Sequence, residues 1–251
     1  MTEPFLIILL LSLGSAALAI TLTRTVMTMF TSGAMTDMID EEWRGHHGIT
    51  LRENVVMGVL AAVTTFVLSV SFGTGVESVL FALFAAFGVS LCYTDLLEYV
   101  LFNIVVYPLY VVTALGLLLY WHVNNLGPDF LLGALLGGVA SYAIYLLQWR
   151  LSGYRLGFGD VRLSAPIGAI AGAFGFMLPV AAIAAANVLA LIAIIISSII
   201  NSRSHGPKGH IAFGPFMIFG LVLTLLLRAP IMGWWMEKQE AILWLIHGAP
   251  V

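Results

Sequence analysis

The chain has 251 residues, 61% of them hydrophobic and only 9% charged, with a net charge of −3 and one cysteine. A soluble domain carries about 25% charged residues, so this composition cannot cover a water-facing surface, and its apolar content equally excludes disorder. One thiol, Cys92, allows neither an internal disulfide nor a cysteine zinc site, and the negative balance gives no reason to expect nucleic acid as a partner. What remains is an all-α polytopic membrane protein, one domain over 1–251 whose first partner is the lipid bilayer.

A helix needs about 20 apolar residues to cross the hydrocarbon core. In chain order, the runs free of Asp, Glu, Lys and Arg are Pro4–Thr23, Asn54–Val76, Ser78–Thr94, Tyr99–Pro128, Phe130–Trp149, Leu163–Ser202 and Ile211–Leu227. Leu163–Ser202 is twice a normal span and contains Gly175 and Pro179, which predicts two helices turning there. The total expected is eight transmembrane helices. The first run reads as a retained anchor, since Met1–Pro4 holds Glu3 and lacks the basic residues of a secretion signal. The segment 231–247 sets Trp234, Trp235 and Trp244 among Glu237, Lys238 and Glu240, the pattern of an interfacial helix.

Eight spans put four loops on one face: Arg24–Glu53, Asp95–Glu98, Arg150–Arg162 and Arg203–His210. They hold Arg24, Arg44, Arg52, Arg150, Arg155, Arg162, Arg203 and Lys208 out of 10 basic residues in all. The opposite loops hold none. The positive-inside rule therefore predicts these four loops in the cytoplasm and both termini outside. Gly133 with Gly137, and Gly168 with Gly172, are small residues four apart that let helix backbones approach closely.

Between Ser78 and Met236 the acids are Asp95, Glu98, Asp129 and Asp160. Asp129 precedes a span on the outside, where capping accounts for it. Asp160 lies in Gly157-Phe158-Gly159-Asp160, ahead of a long apolar helix. It reads either as an N-cap for that helix, or as a carboxylate whose flanking glycines let another backbone come close. Asp95 ends the third span, where the helix dipole disfavours a carboxylate, so capping does not explain it. Glu98 reads as a solvated loop residue, with a second acid of the site as the alternative. Asp95 and Asp160 share the cytoplasmic side by topology. Two carboxylates that converge cannot both ionise easily, which is the arrangement of aspartic protease chemistry.

Gly157-Phe158-Gly159-Asp160-Val161-Arg162-Leu163 resembles the GxGD-x-K-L motif of the type IV prepilin peptidases, bacterial and archaeal membrane aspartyl proteases. Asp95, with Leu101-Phe102-Asn103 after it, is similar to the first-aspartate motif of that family, and Phe213-Gly214-Pro215 to its Pro-Phe-Gly-Pro element. Phe102 stands where the family has Pro, Arg162 where it has Lys, and Ala212 where it has the first Pro. The resemblance covers a peptidase-like core over 78–227. It implies Asp95 and Asp160 as the catalytic pair. Gly157, Gly159, Arg162, Glu98, Asn103, Phe213, Gly214 and Pro215 would support the motifs or the substrate. It further implies cleavage of the short basic leader of prepilin-like proteins at the cytoplasmic face of a bacterial or archaeal cell membrane.

Many bacterial members carry two Cys-x-x-Cys zinc pairs in the first cytoplasmic loop and also methylate the cleaved pilin. Here the loop 24–53 has no cysteine, and His46 and His47 alone make a poor tetrahedral site. No metal or other cofactor and no N-methyltransferase activity are expected. The acids Asp37, Asp40, Glu41 and Glu42 read as a solvated face, or as an attractor for a basic leader. The rival class is a proton- or cation-coupled transporter using the same acids. Such proteins place charges near the midplane on broken helices, whereas these acids fall at helix ends. An inactive relative acting in pilus or secretion assembly is a third possibility.

Overall fold

The structure, a computed structural model, describes residues 2–31, 49–153, 156–199 and 212–247. Nine helices and no strand occur among them: α1 (Thr2–Thr31), α2 (Leu51–Phe72), α3 (Val76–Glu98), α4 (Asn103–Val123), α5 (Pro128–Leu151), α6 (Phe158–Phe174), α7 (Leu178–Ile199), α8 (Gly214–Leu226) and α9 (Arg228–His247). Several boundaries have plain local causes. Thr50 and Glu53 form a capping box that starts α2: the Thr50 hydroxyl accepts from the Glu53 N–H at 3.3 Å, and the Thr50 N–H donates to the Glu53 carboxylate at 2.7 Å. Gly175 ends α6, so the double-length run breaks where its glycine and proline predict.

Six helices, α1 to α5 and α7, are long and apolar enough to cross a bilayer. The bent pair α8 and α9 makes a seventh if it is one span. That is fewer than the eight expected. Helix α6 has 17 residues and spends its first turns on Asp160 and Arg162, while α8 has 13. Both fall at or below the length that apolar crossing requires. At the junction of α8 with α9 the axis turns by 70°. Pro230 lies in the first turn of α9, where its missing N–H costs least. The segment 231–247 is thus helical as expected. At the other end of the bundle, α1 runs on to Thr31, past the apolar stretch and into what the sequence read as loop.

The outward faces are apolar along their length: Phe5, Leu10 and Leu13 on α1, Val55, Val59 and Val63 on α2, Leu135 and Val139 on α5, Val188 and Ile195 on α7. Lipid, not water, suits such a surface, and the chain is a multi-pass membrane protein in architecture. Helix α3 is central, with 67% of its apolar window buried against 17–33% in the other spans. Lipid tails are as apolar as leucine, so packing and not hydrophobic exclusion holds the helices together. The closest approach is between antiparallel α5 and α6. A Cβ added to Gly137 would meet the Gly168 carbonyl, and one at Gly172 would meet the Gly133 carbonyl. The two glycine pairs read from the sequence therefore face each other.

Candidate functional site

Asp95 lies in the last turn of α3, which ends at Glu98 with Tyr99 in the left-handed conformation (φ 52°). Its carboxylate sits against the negative end of its own helix dipole, the unfavourable end. Compensation comes from far along the chain. Gly214 is the first residue of α8, and its N–H donates to Asp95 Oδ2 at 2.8 Å. That N–H is one of the donors a helix start leaves without an internal partner, and the positive end of the α8 dipole faces the same oxygen. Pro215, second in α8, gives up no internal hydrogen bond by having no N–H. Phe213 caps the helix without a side-chain bond, and its ring lies 5.9 Å from that of Tyr145.

Asp160 stands at the start of α6. The capping residue is Gly157, so Asp160 occupies the third helical position and not the N-cap position expected of it. Its carboxylate reaches back to accept from the Gly157 N–H, one half of a capping box. The other oxygen, Oδ1, is buried with no hydrogen-bond partner among the described residues. Buried polar atoms are overwhelmingly paired, so such an exception asks for a reason. Asp95 and Asp160 are 5% and 4% exposed, and each lies within electrostatic reach of the other. The structure brings together what the sequence could only place on one face.

The remaining motif residues divide. Arg162 donates to Asn103 Oδ1 at 2.6 Å, joining the starts of α6 and α4. Its guanidinium also covers the Phe158 ring at 4.8 Å, which itself meets Trp149 edge-on at 5.1 Å. Gly159 differs from expectation. The room its missing Cβ leaves is taken by Leu101, whose own Cβ would lie 2.8 Å from an added one. No open approach for a substrate backbone exists there in this state. Glu98 also differs: it is 4% exposed, not solvated, and acts electrostatically on Tyr93. It closes the central helix α3, and packing there carries its side chain inward. Asp129 lies one position inside α5, after Gly127 and Pro128, where the dipole favours it. The residues His46, His47, Asp37, Asp40, Glu41 and Glu42 lie outside the described residues, as do Arg44, Arg155, Arg203 and Lys208.

Three residues near the pair were assigned no role from the sequence. Tyr145 of α5 is buried and within electrostatic reach of Asp160. Tyr110 of α4 donates its hydroxyl to the Arg162 carbonyl at 2.6 Å. Leu101 is the third. The available signal for Tyr145 was the spacing of Tyr142, Tyr145 and Trp149, a single helical face. Beside the end of α3, a cavity of about 480 Å³ is lined by Thr50, Arg52, Glu53, Val56 and Tyr93, with Tyr93 hydrogen-bonded to Glu53. Compared with protein-family models, with curated proteins and with solved structures, the chain matches none of them.

Proposed function

We propose that the protein is a membrane aspartic endopeptidase that removes the short basic leader of type IV prepilin-like proteins, with Asp95 and Asp160 as its catalytic pair. The observation that carries this reading is the buried Oδ1 of Asp160, without a hydrogen-bond partner among the described residues and within reach of a second buried carboxylate. Structural acids seldom leave an oxygen unpaired, whereas a carboxyl that must bind a reacting water does. The three short motifs converge as well: Asp95 bonds Gly214, and Asn103 bonds Arg162.

In the reaction, the ionised carboxylate removes a proton from water, and the resulting hydroxide oxygen bonds to the scissile carbonyl carbon. The second, protonated carboxyl donates to the carbonyl oxygen. Collapse re-forms the C=O bond and breaks the C–N bond: the proton on the former carbonyl oxygen returns to the second carboxylate, and the leaving amine takes up the proton that water lost. Each aspartate is held by one backbone N–H, Asp95 by Gly214 and Asp160 by Gly157, and Asp160 presents in Oδ1 the oxygen that water would meet. Glu53 in the cavity wall offers a basic leader an acidic contact on the way in.

In this reading the chain crosses the membrane eight times, α6 and α8 included. Both termini lie outside, the site faces the cytoplasm of a bacterial or archaeal cell, and α9 lies along the outer interface. The test is co-expression with a type IV prepilin, following leader loss by gel shift. Normal processing by Asp95→Asn or Asp160→Asn would sink the assignment.

A further inference from the structure

Leu101 belongs to the segment 99–102, the non-helical connection between α3 and α4. It is buried, and the placement of its two methyl groups is unusual. One, Cδ1, lies 3.3 Å from the position a Cβ would take on Gly159. The other, Cδ2, lies 3.3 Å from the corresponding position on Gly214. Gly159 directly precedes Asp160, and Gly214 holds Asp95 through its N–H. The side chain therefore spans the gap between the start of α6, which carries Asp160, and the start of α8, whose Gly214 N–H holds Asp95. A side chain at either glycine would disturb this arrangement: an added Cβ at position 159 would be 2.8 Å from Leu101 Cβ, and one at position 214 would be 2.9 Å from Asp95 Oδ2. Both ends of the segment are fixed, by the Tyr99 N–H donating to the Asp95 carbonyl at 3.0 Å and by Asn103 on Arg162.

From this geometry we infer that Leu101 is a positioning residue that spaces the two carboxylates and seals them from water. Its two glycine seats are the path by which an extended peptide gains the site. A substrate backbone carries its own row of hydrogen-bonding groups and is slim enough to occupy a glycine-lined gap. It enters by displacing Leu101, so the water needed for hydrolysis is admitted together with the peptide and not before. The inference rests on the peptidase reading for its substrate, but the seal itself is a property of the resting protein.

The experiment uses the purified full-length protein in detergent and a water-soluble carbodiimide with an amine nucleophile, with modified peptides counted by mass spectrometry. Exposed Asp129 serves as the reactive reference, and Glu77, buried at the far end of α3, as the protected one. Asp95 and Asp160 in the unaltered protein react far more slowly than Asp129. Leu101→Ala raises their modification at least about tenfold, because trimming a buried leucine withdraws more contact free energy than one tenfold step requires. Leu101→Met, of similar volume, keeps them protected. Equal modification with and without Leu101→Ala overturns the seal, and so does a rise at Glu77 of the same size, since that reports general loosening. An opened site in Leu101→Ala, alongside no prepilin cleavage by the unaltered protein, upholds the seal and removes the peptidase reading. Cleavage without opening does the reverse.

Discussion

The two ends of α3 each bury a carboxylate, and they treat it in opposite ways. At the start, Glu77 accepts from the Gly75 N–H at 3.1 Å. It sits in a cup where a Cβ on Gly73 or Gly75 would come within 2.7 Å of its oxygens. Ser78 closes the turn by donating to the Gly73 carbonyl. The positive end of the α3 dipole favours the charge, and Tyr120 nearby is acted on by both Glu77 and Arg228. Arg228 is itself pinned, donating to the Ser71 carbonyl at 2.9 Å and lying 3.6 Å over the Phe72 ring. At the other end, Asp95 has the wrong end of its own helix and depends on the start of α8, and its neighbour Asp160 keeps one oxygen without a partner among the described residues. A local turn supplies Glu77 with its backbone donor. Asp160 has one local donor in the Gly157 N–H, but no local turn supplies Asp95 or brings the two acids together. A buried acid whose neighbours within a few residues satisfy it is architecture, while one that relies on residues 119 apart in sequence, as Asp95 on Gly214, has been assembled.

The sharpest way to break this contrast is to neutralise each end in turn. Asp95→Asn and Asp160→Asn should each reduce prepilin cleavage by about 10⁴-fold or more, the scale seen when a reacting group is removed. Gel-shift assay of leader removal measures it. The same substitutions should leave the melting temperature in detergent unchanged or higher, since they take a charge out of a buried position. Loss of folding in place of loss of cleavage would put the pair on the same footing as Glu77.

Next in size comes the packing that carries Asp160 to its place. Gly168→Val adds three carbons where the Ser141 side chain and the Gly137 carbonyl already lie in contact. Overpacking of this kind costs about 3 kcal/mol, and because the Gly137 backbone is struck along with the Ser141 side chain, α6 must shift away from α5. Both stability and cleavage should fall, as measured by thermal unfolding alongside the gel shift. Retained cleavage in a destabilised protein would show that the position of α6 matters less to the pair than the contacts imply.

Much of the frame was open to reading in the sequence, because membrane helices advertise themselves by composition. Charge-free runs located the spans, Gly175 and Pro179 located the turn between α6 and α7, and the glycine pairs at 133 and 137, 168 and 172 meet across one interface. The order of the three motifs was equally visible. What one-dimensional patterning could not supply were the partners. Glu98 looked like a loop acid, yet tertiary packing buries it. Gly159 looked like an opening, yet Leu101, more than fifty positions earlier, fills it. Six helices, or seven with the bent pair as one span, are long and apolar enough to cross, against the eight expected from charge-free runs, because α6 and α8 give their ends to the site and to the bend before α9. Contacts between distant elements leave no periodicity behind.

A smaller effect tests the structural end. Glu77→Gln keeps an oxygen for the Gly75 N–H but removes the charge that the α3 start favours, and turns an amide toward a cup shaped for a carboxylate. About 1 kcal/mol of stability should be lost, visible as a few degrees in a melting scan, with cleavage unaltered. A cleavage defect without a melting change would give Glu77 a role at a distance that its surroundings do not suggest.

Arg162→Lys is the mildest change and the most discriminating at the functional end. The guanidinium makes two different contacts: a hydrogen bond to Asn103 at 2.6 Å and a stacked position over Phe158. A lysine keeps the charge and can reach the same oxygen, but its ammonium is compact and better hydrated, and it lacks the flat face that covers an aromatic ring. The bond between α4 and α6 would therefore persist in a looser form, and Phe158 would be less firmly held against Trp149. Cleavage should fall by a factor of about five, equivalent to roughly 1 kcal/mol, with the loss in kcat and not in KM, since neither contact faces the cavity beside Tyr93. Asn103→Ala removes the acceptor and should cost at least as much. If Arg162→Lys raised KM alone, Arg162 would belong to the substrate path, and the segment 99–102 would lose the anchor at its α4 end that keeps Leu101 between the two aspartates.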